Sequence, residues 1–256
     1  MMSNNSLGWG MLIVLNIQDV EKIKMKKAEV QQLLKENQNQ RGVDNWNEMY
    51  PDSPYRSYGI GLTVLRKLAK QVGKDHALAQ ELWDSDCYDM KVIAVLIDDP
   101  KHITEAQMEK QVEDVDFGMM VHVYSACGAP VAKTPFIGEM ALKWLKSKDS
   151  VRRRCAYGFV YELSKSTKKS APDEDYFMGF INHIDNTYAS ENSSVHLAMG
   201  GALLGIGKRS VKLNQAALKV ANKIGPIPVE SGKTQCDPMD ISKHLTSDYL
   251  KKKLGL

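Results

Sequence analysis

From residue 61 onward the apolar side chains of this 256-residue chain recur at helical spacing, and no other period competes with it. Leu62, Leu65, Leu68, Ala69 and Val72 form one stripe, with Arg66, Lys67 and Lys70 facing away and Gly73 as the stop. Residues 76–84 read as a second short helix ending near Trp83, and 87–98 as a third carrying Val92, Val95 and Leu96. Asp98-Asp99-Pro100 ends that run, and Thr104 with Glu105 restarts a helix. Phe136, Ile137, Met140, Ala141, Trp144 and Leu145 repeat the pattern. So do Val151, Cys155, Phe159 and Leu163, and later Leu213, Ala217, Val220, Ala221 and Ile224. No run of period-two alternation bounded by turns occurs, so no sheet is needed. Helices of about 10 to 16 residues joined by short polar turns pack as antiparallel neighbours. The chain therefore predicts an all-α fold, a superhelical array of antiparallel helix pairs in which each pair buries its face on the next.

The pattern places the whole of residues 1–256 in a single domain. Residues 1–60 read as an N-terminal helix near 18–38 followed by a loop over 40–60 that contains Pro51 and Pro54. Residues 61–224 are the repeat array, and 225–256 a loop rich in glycine and proline over 225–240 followed by a C-terminal helix. A hydrophobic share of 43% beside 25% charged residues is globular rather than disordered composition. The apolar stretch Trp9 to Ile17 is far short of a membrane span, lacks a secretory leader's basic flank, and reads as a packed N-terminal segment. Cys87, Cys127, Cys155 and Cys236 lie far apart with no CxxC pair, which argues against zinc and against a disulfide framework. A reducing compartment follows: cytoplasm, or nucleus in a eukaryote. No metal, cofactor or membrane is expected.

Charge is strongly polarised along the chain despite a net +3. Residues 81–116 hold eleven acidic side chains against Lys91, Lys101 and Lys110. Residues 143–169 hold nine basic ones against Asp149 and Glu162, and 208–223 five basic ones with no acid. At 100° per residue Arg154, Tyr161 and Lys165 share a stripe away from Val151, Phe159 and Leu163. Lys208, Lys212, Lys219 and Lys223 form another. Each stripe alone reads as a solvated helix face. Taken together with Arg152 and Arg153, and stacked on successive repeats, they can line one hollow that contacts phosphates, with tyrosine packing on sugars or bases. Asp84, Asp86 and Asp89 read as capping and turn residues.

Catalytic templates fail. The six histidines are scattered without an HExxH, and no GxSxG occurs. Gly201 to Arg209 resembles a phosphate loop only superficially: GxxxxGK needs glycine at Ala202, and Arg209 stands where serine or threonine must follow Lys208. Gly200, Gly201 and Gly205 read instead as sites of close helix packing.

The run Gly59-Ile60-Gly61 to Leu65-Arg66-Lys67-Leu68-Ala69-Lys70, then Asp75-His76-Ala77-Leu78-Ala79 and Glu81-Leu82-Trp83-Asp84-Ser85, resembles the DNA alkylation repair proteins with HEAT-like repeats. Ile97-Asp98-Asp99-Pro100 and Ile206-Gly207-Lys208-Arg209 add to the likeness, which covers roughly residues 55–245. The resemblance implies an α–α solenoid of HEAT-like repeats. It also implies that active relatives surround the lesion with a tryptophan, an aspartate four residues later, an arginine on a later helix and a second tryptophan. Those positions fall here on Gly118, His122, Arg154 and Gly201, so only Arg154 matches. A shifted register puts the acid at Asp116, at the cost of a gap within a helix. Without an anion to stabilise an oxocarbenium-like charge, and without the indole walls, base excision by this route is not expected.

The first expectation is therefore a DNA-binding member of that superfamily without the usual glycosylase chemistry. It would hold DNA by its backbone, with weak sequence preference, through Arg152, Arg153, Arg154, Tyr161, Lys165, Lys208, Arg209, Lys212 and Lys219. The alternatives are an active glycosylase for cationic alkylated purines that uses Asp116 or another acid, and a protein-interaction scaffold.

Overall fold

Helices in this chain begin where a short polar side chain precedes an apolar run. Asn39, Asp75, Thr104, Asp149, Asp173, Asn192, Ser210 and Asp240 each accept a hydrogen bond from a backbone N–H of the first helical turn. Three of the described helices stop at glycines with positive φ, Gly73 at 84°, Gly225 at 72° and Gly255 at 74°. The computed structural model describes residues 24–229 and 236–256. Among them are fourteen α-helices: α1 Lys27–Glu36, α2 Gln40–Met49, α3 Leu62–Val72, α4 His76–Trp83, α5 Tyr88–Ile97, α6 Glu105–Gln111, α7 Met120–Ser125, α8 Ile137–Leu145, α9 Ser150–Ser164, α10 Glu174–Thr187, α11 Ser193–Ile206, α12 Val211–Ile224, α13 Ile241–Leu245 and α14 Asp248–Leu254. No described residue lies in a strand, and no described helix is long and apolar enough to cross a membrane.

The helices form two rows. In the first, α3, α5, α7, α9, α11 and α13 lie side by side in chain order. In the second, α4 backs α5, α8 backs α9, and α10 and α12 pack on each other and on α11. Helix α9 is the centre, buried from Cys155 to Val160 and packed on α7, α8 and α11. It approaches α7 so closely that a Cβ on Gly158 would fall 2.1 Å from Ser125 Oγ.

Buried polar groups tie the rows. Asp98, at the end of α5, accepts from Gln80 of α4 (3.2 Å) and Gln107 of α6 (2.7 Å), and its other oxygen meets His76 Nδ1 at 2.6 Å. Asp89 is fully buried and accepts from Ser57 Oγ (2.8 Å) and the amides of Tyr58 (2.7 Å) and Ile60 (3.2 Å). It is thus a buried acceptor, more than a capping residue. Burial raises its carboxyl pKa, and the hydrogen bonds from Ser57, Tyr58 and Ile60 offset only part of that rise.

The structure corrects the sequence reading at residues 40–60, whose first half is helix α2 rather than loop. Gly42, Asp44, Asn45 and Asn47 have weak helix preference, but Trp46 is buried and its Nε1 donates to the Tyr55 carbonyl at 2.9 Å. Tertiary packing overrides local propensity there. The helix expected near 18–38 is described as Lys27–Glu36; its part before residue 24, and the Trp9 to Ile17 segment, lie outside the described residues. In the 225–240 loop Ile227 and Met239 exchange backbone hydrogen bonds of 3.0 and 2.8 Å, and the final helix is two short ones.

Replacing Asp89 with Ala leaves the amides of Tyr58 and Ile60 buried without acceptors. The expected cost is about 2–4 kcal/mol, read as a lower melting temperature; a change under about 1 kcal/mol would show that water replaces the carboxylate.

Candidate nucleic-acid interface

The charged side chains at the two ends of α9 have different partners. At its N-terminal end Arg152 donates to Asp149 Oδ2 (3.0 Å), Glu109 Oε2 (3.2 Å) and Glu113 Oε1 (2.5 Å). Arg153 makes a two-pronged pair with Glu191, both contacts 2.7 Å, and its Nη1 donates to the carbonyls of Ser147 and Lys148. Arg154 Nη1 lies 2.6 Å from Asp116 Oδ1. The arginine side chains are 19%, 16% and 22% exposed. The cluster that the sequence offers to phosphates is therefore met by carboxylates, three of them from the acidic block at 81–116, and its charge is largely compensated within the protein.

The C-terminal end is different. Lys165 Nζ sits 4.7 Å over the Tyr161 ring and 2.5 Å from Glu162 Oε1. Tyr161 leans on α11, where a Cβ on Gly205 would come within 2.8 Å of its ring. Lys208 follows one turn later, and Lys253 of α14 donates to its carbonyl at 3.2 Å. Burial lowers the Lys208 pKa, and the charge of Lys253 lowers it further. Lys165, Lys208 and Lys253 thus gather at the adjoining ends of α9, α11 and α14.

The other predicted cations go elsewhere. Arg209 Nη1 donates to the carbonyls of Ser164 (2.8 Å) and Ser166 (2.9 Å), and its guanidinium lies 4.4 Å from the Phe177 ring centre. It closes the C-terminal end of α9. Lys212 faces Glu174 and Asp175 of α10 at 3.9 and 3.7 Å, and Lys223 reaches Asp185 at the far end of that helix. Lys219 is exposed on the same stripe. Lys212 and Lys223 thus lie at the seam between α10 and α12 in the second row, whereas Lys208 of the same stripe lies where α11 meets α14.

Arg66 of α3 and His122 of α7 extend the lysine edge, and the sequence reading did not place Arg66 in it. His122 is held below the ordinary imidazole range by desolvation; Glu162 opposes this, and Arg66 and Lys165 reinforce it. The signal for Arg66 was its outward stripe on α3, which the longer basic runs overshadowed.

The glycines at two of the four positions implied by the resemblance have different surroundings. Gly118 has φ of 54°, and a Cβ there would meet Tyr88 Oη at 3.1 Å and Trp46 at 3.2 Å, so an indole cannot replace it without rearrangement. A Cβ on Gly201 would meet nothing within 4 Å, so that position is an open slot rather than the packing contact expected of it. Asp116 lies between the 3₁₀ turn Val112–Asp114 and α7, and the shifted register therefore needs no gap inside a helix. Its side chain is 60% exposed beside Arg154.

A family model described as DNA alkylation repair enzyme matches residues 27–228. A Listeria innocua protein carried as uncharacterised is 23% identical over 208 residues, covering 78% of this chain and 86% of its own length. One solved structure, titled as a new family of proteins related to the HEAT-like repeat DNA glycosylases with affinity for branched DNA structures, superposes with a TM-score of 0.73. It is 19% identical and covers 91% of this chain and 97% of its own. That likeness establishes the HEAT-like repeat fold.

Because Glu191 is only 9% exposed, its pairing is structural. Arg153→Ala should cost about 2–4 kcal/mol of stability by leaving that carboxylate unpaired, and Arg153→Ala with Glu191→Gln should cost less than Arg153→Ala alone. Thermal melts of both single variants and the double measure it; a double-variant loss equal to the sum of the two single losses would mean that the pair is not coupled.

Proposed function

Because the chain belongs to the DNA alkylation repair enzyme family, we propose that it binds DNA through backbone phosphates and does not excise bases by the two-tryptophan route. Lys165 over the Tyr161 ring, and Lys253 on the Lys208 carbonyl at the adjoining helix ends, carry the reading. Lysine ammonium groups at one edge release counterions from a phosphate backbone, and a half-exposed tyrosine adds a sugar or base contact. Of the residues expected from the sequence, Tyr161, Lys165 and Lys208 are retained as contacts. Arg152, Arg153 and Arg209 become structural, Arg154 pairs with Asp116, and Lys212 and Lys219 lie on α12 in the second row. The structural neighbour's stated affinity for branched DNA extends the proposal to three- and four-way junctions, which present several backbones at once.

A second reading is favoured by one observation. The Asp116 carboxylate stands 2.6 Å from Arg154 and is exposed, which supplies an anion and a cation at a surface where a glycosidic bond could be polarised. A single assay on methylated duplex separates the two readings, with base release and binding scored in the same samples. Binding without release is the expected result. Release of 3-methyladenine or 7-methylguanine that disappears in Asp116→Asn would establish the excision reading instead.

Binding should also be linked to pH through His122. Its lowered pKa keeps the ring neutral at pH 7, and protonation adds a cation only below the ordinary value of about 6.5. Phosphate nearby favours the charged form, so affinity should rise as pH falls from 7 to about 5.5, and His122→Ala should flatten that rise. An identical rise in the variant would remove His122 from the interface.

A further inference from the structure

The C-terminal ends of α3, α5 and α7 meet the 3₁₀ turn Pro130–Lys133 around an open cleft of about 420 Å³. Arg66, Lys70 and Lys133 line it, and none of the three has a hydrogen-bond or ion-pair partner among the described residues. Lys74 also lines it but is held by Asp99 at 3.0 Å. The carboxylate in the wall, Asp98, has both oxygens occupied by His76, Gln80, Gln107 and the Asp99 amide. Lys70 lies in the last turn of α3, where the helix dipole alone accounts for a cation. Arg66 and Lys133 have no such explanation. Like charges facing one cavity repel unless an anion sits between them.

The cleft neighbours the lysine edge: Cys127 lines it, and the charges of Arg66, Lys165 and Glu162 all reach that thiol and His122. Its volume exceeds what a lone phosphate needs, and Leu96 and Pro130 give it an apolar wall suited to a sugar. The Arg66 guanidinium offers a planar fork that matches two phosphate oxygens.

We propose that this cleft is a phosphate-binding subsite for a DNA strand, with Arg66, Lys70 and Lys133 neutralising backbone phosphates beyond those held at the α9–α11 edge. It rests on the DNA-binding reading and adds a second anchor to it. A strand leaving the lysine edge runs into the cleft, so the footprint reaches α3 instead of ending at α9.

The test is equilibrium binding by the full chain at several salt concentrations, comparing wild type with Arg66→Ala/Lys70→Ala/Lys133→Ala. Two duplexes are used, one with 5′-hydroxyl and one with 5′-phosphate ends. The slope of log affinity against log salt should fall in magnitude by about two to three, alike for different sequences. An equal fall on both duplexes assigns the cleft to internal phosphodiesters, and a fall on the phosphorylated one alone assigns it to a strand end; either supports the subsite. Lys133→Glu, a single change on an exposed turn, should weaken binding more than Lys133→Ala and guards against a triple variant that melts early. An unchanged slope in a folded variant, while wild type binds, overturns the subsite and leaves the DNA-binding reading standing. Absence of salt-dependent binding by wild type overturns both.

Discussion

The structure depends on a helix that is dry along its middle. From Cys155 to Val160 helix α9 offers no exposed residue, because α7, α8 and α11 close around it. Gly158 against Ser125, and Gly205 against Tyr161 and Ser164, let those neighbours come close enough to exclude water. In such a helix charge has to go to the ends. The N-terminal end carries three arginines and draws in carboxylates; the C-terminal end carries Lys165 and is closed by Arg209 on its carbonyls. Burial of one helix thereby sorts the charge of the whole molecule.

That sorting shapes what the protein can recognise. The arginines at the N-terminal end of α9 are compensated by carboxylates and offer a polyanion little, whereas the lysines at the other end are what the proposed DNA contact uses. On the DNA-binding reading proposed above, a molecule polarised in this way presents one side to a nucleic acid before any contact forms. The same arrangement explains how a net charge of only +3 is compatible with a basic face.

Helices were legible because apolar spacing and capping residues agree: Asp75, Thr104 and Asp149 begin α4, α6 and α9 where the sequence reading restarts each run. Helix α2 was not, since its stability comes from Trp46 finding the Tyr55 carbonyl, a contact that no local pattern encodes. Within the candidate site, the Tyr161 and Lys165 stripe was readable from period alone. The fate of the arginines was not, because the acids that compensate Arg152 arrive from 43 and 39 residues earlier in the chain. A run of like charge in a sequence shows where cations are made, and only the fold shows where they are cancelled. The position of Asp116 has a similar cause: counting along the chain treats its surroundings as helix, whereas the chain turns there through Gly118 in a left-handed conformation.

Asp98 has a consequence for how the array comes apart. In a stack where each repeat touches only its neighbours, the ends fray independently and the middle persists. Here one buried carboxylate is shared by α4, α5 and α6, so three consecutive helices lose their common acceptor together if any of them peels away. Those helices form one cooperative block, and at the other end of the stack the buried Asn214 of α12 makes a second one, by donating to the carbonyls of Gly207 at the end of α11 (3.0 Å) and Leu245 of α13 (3.2 Å).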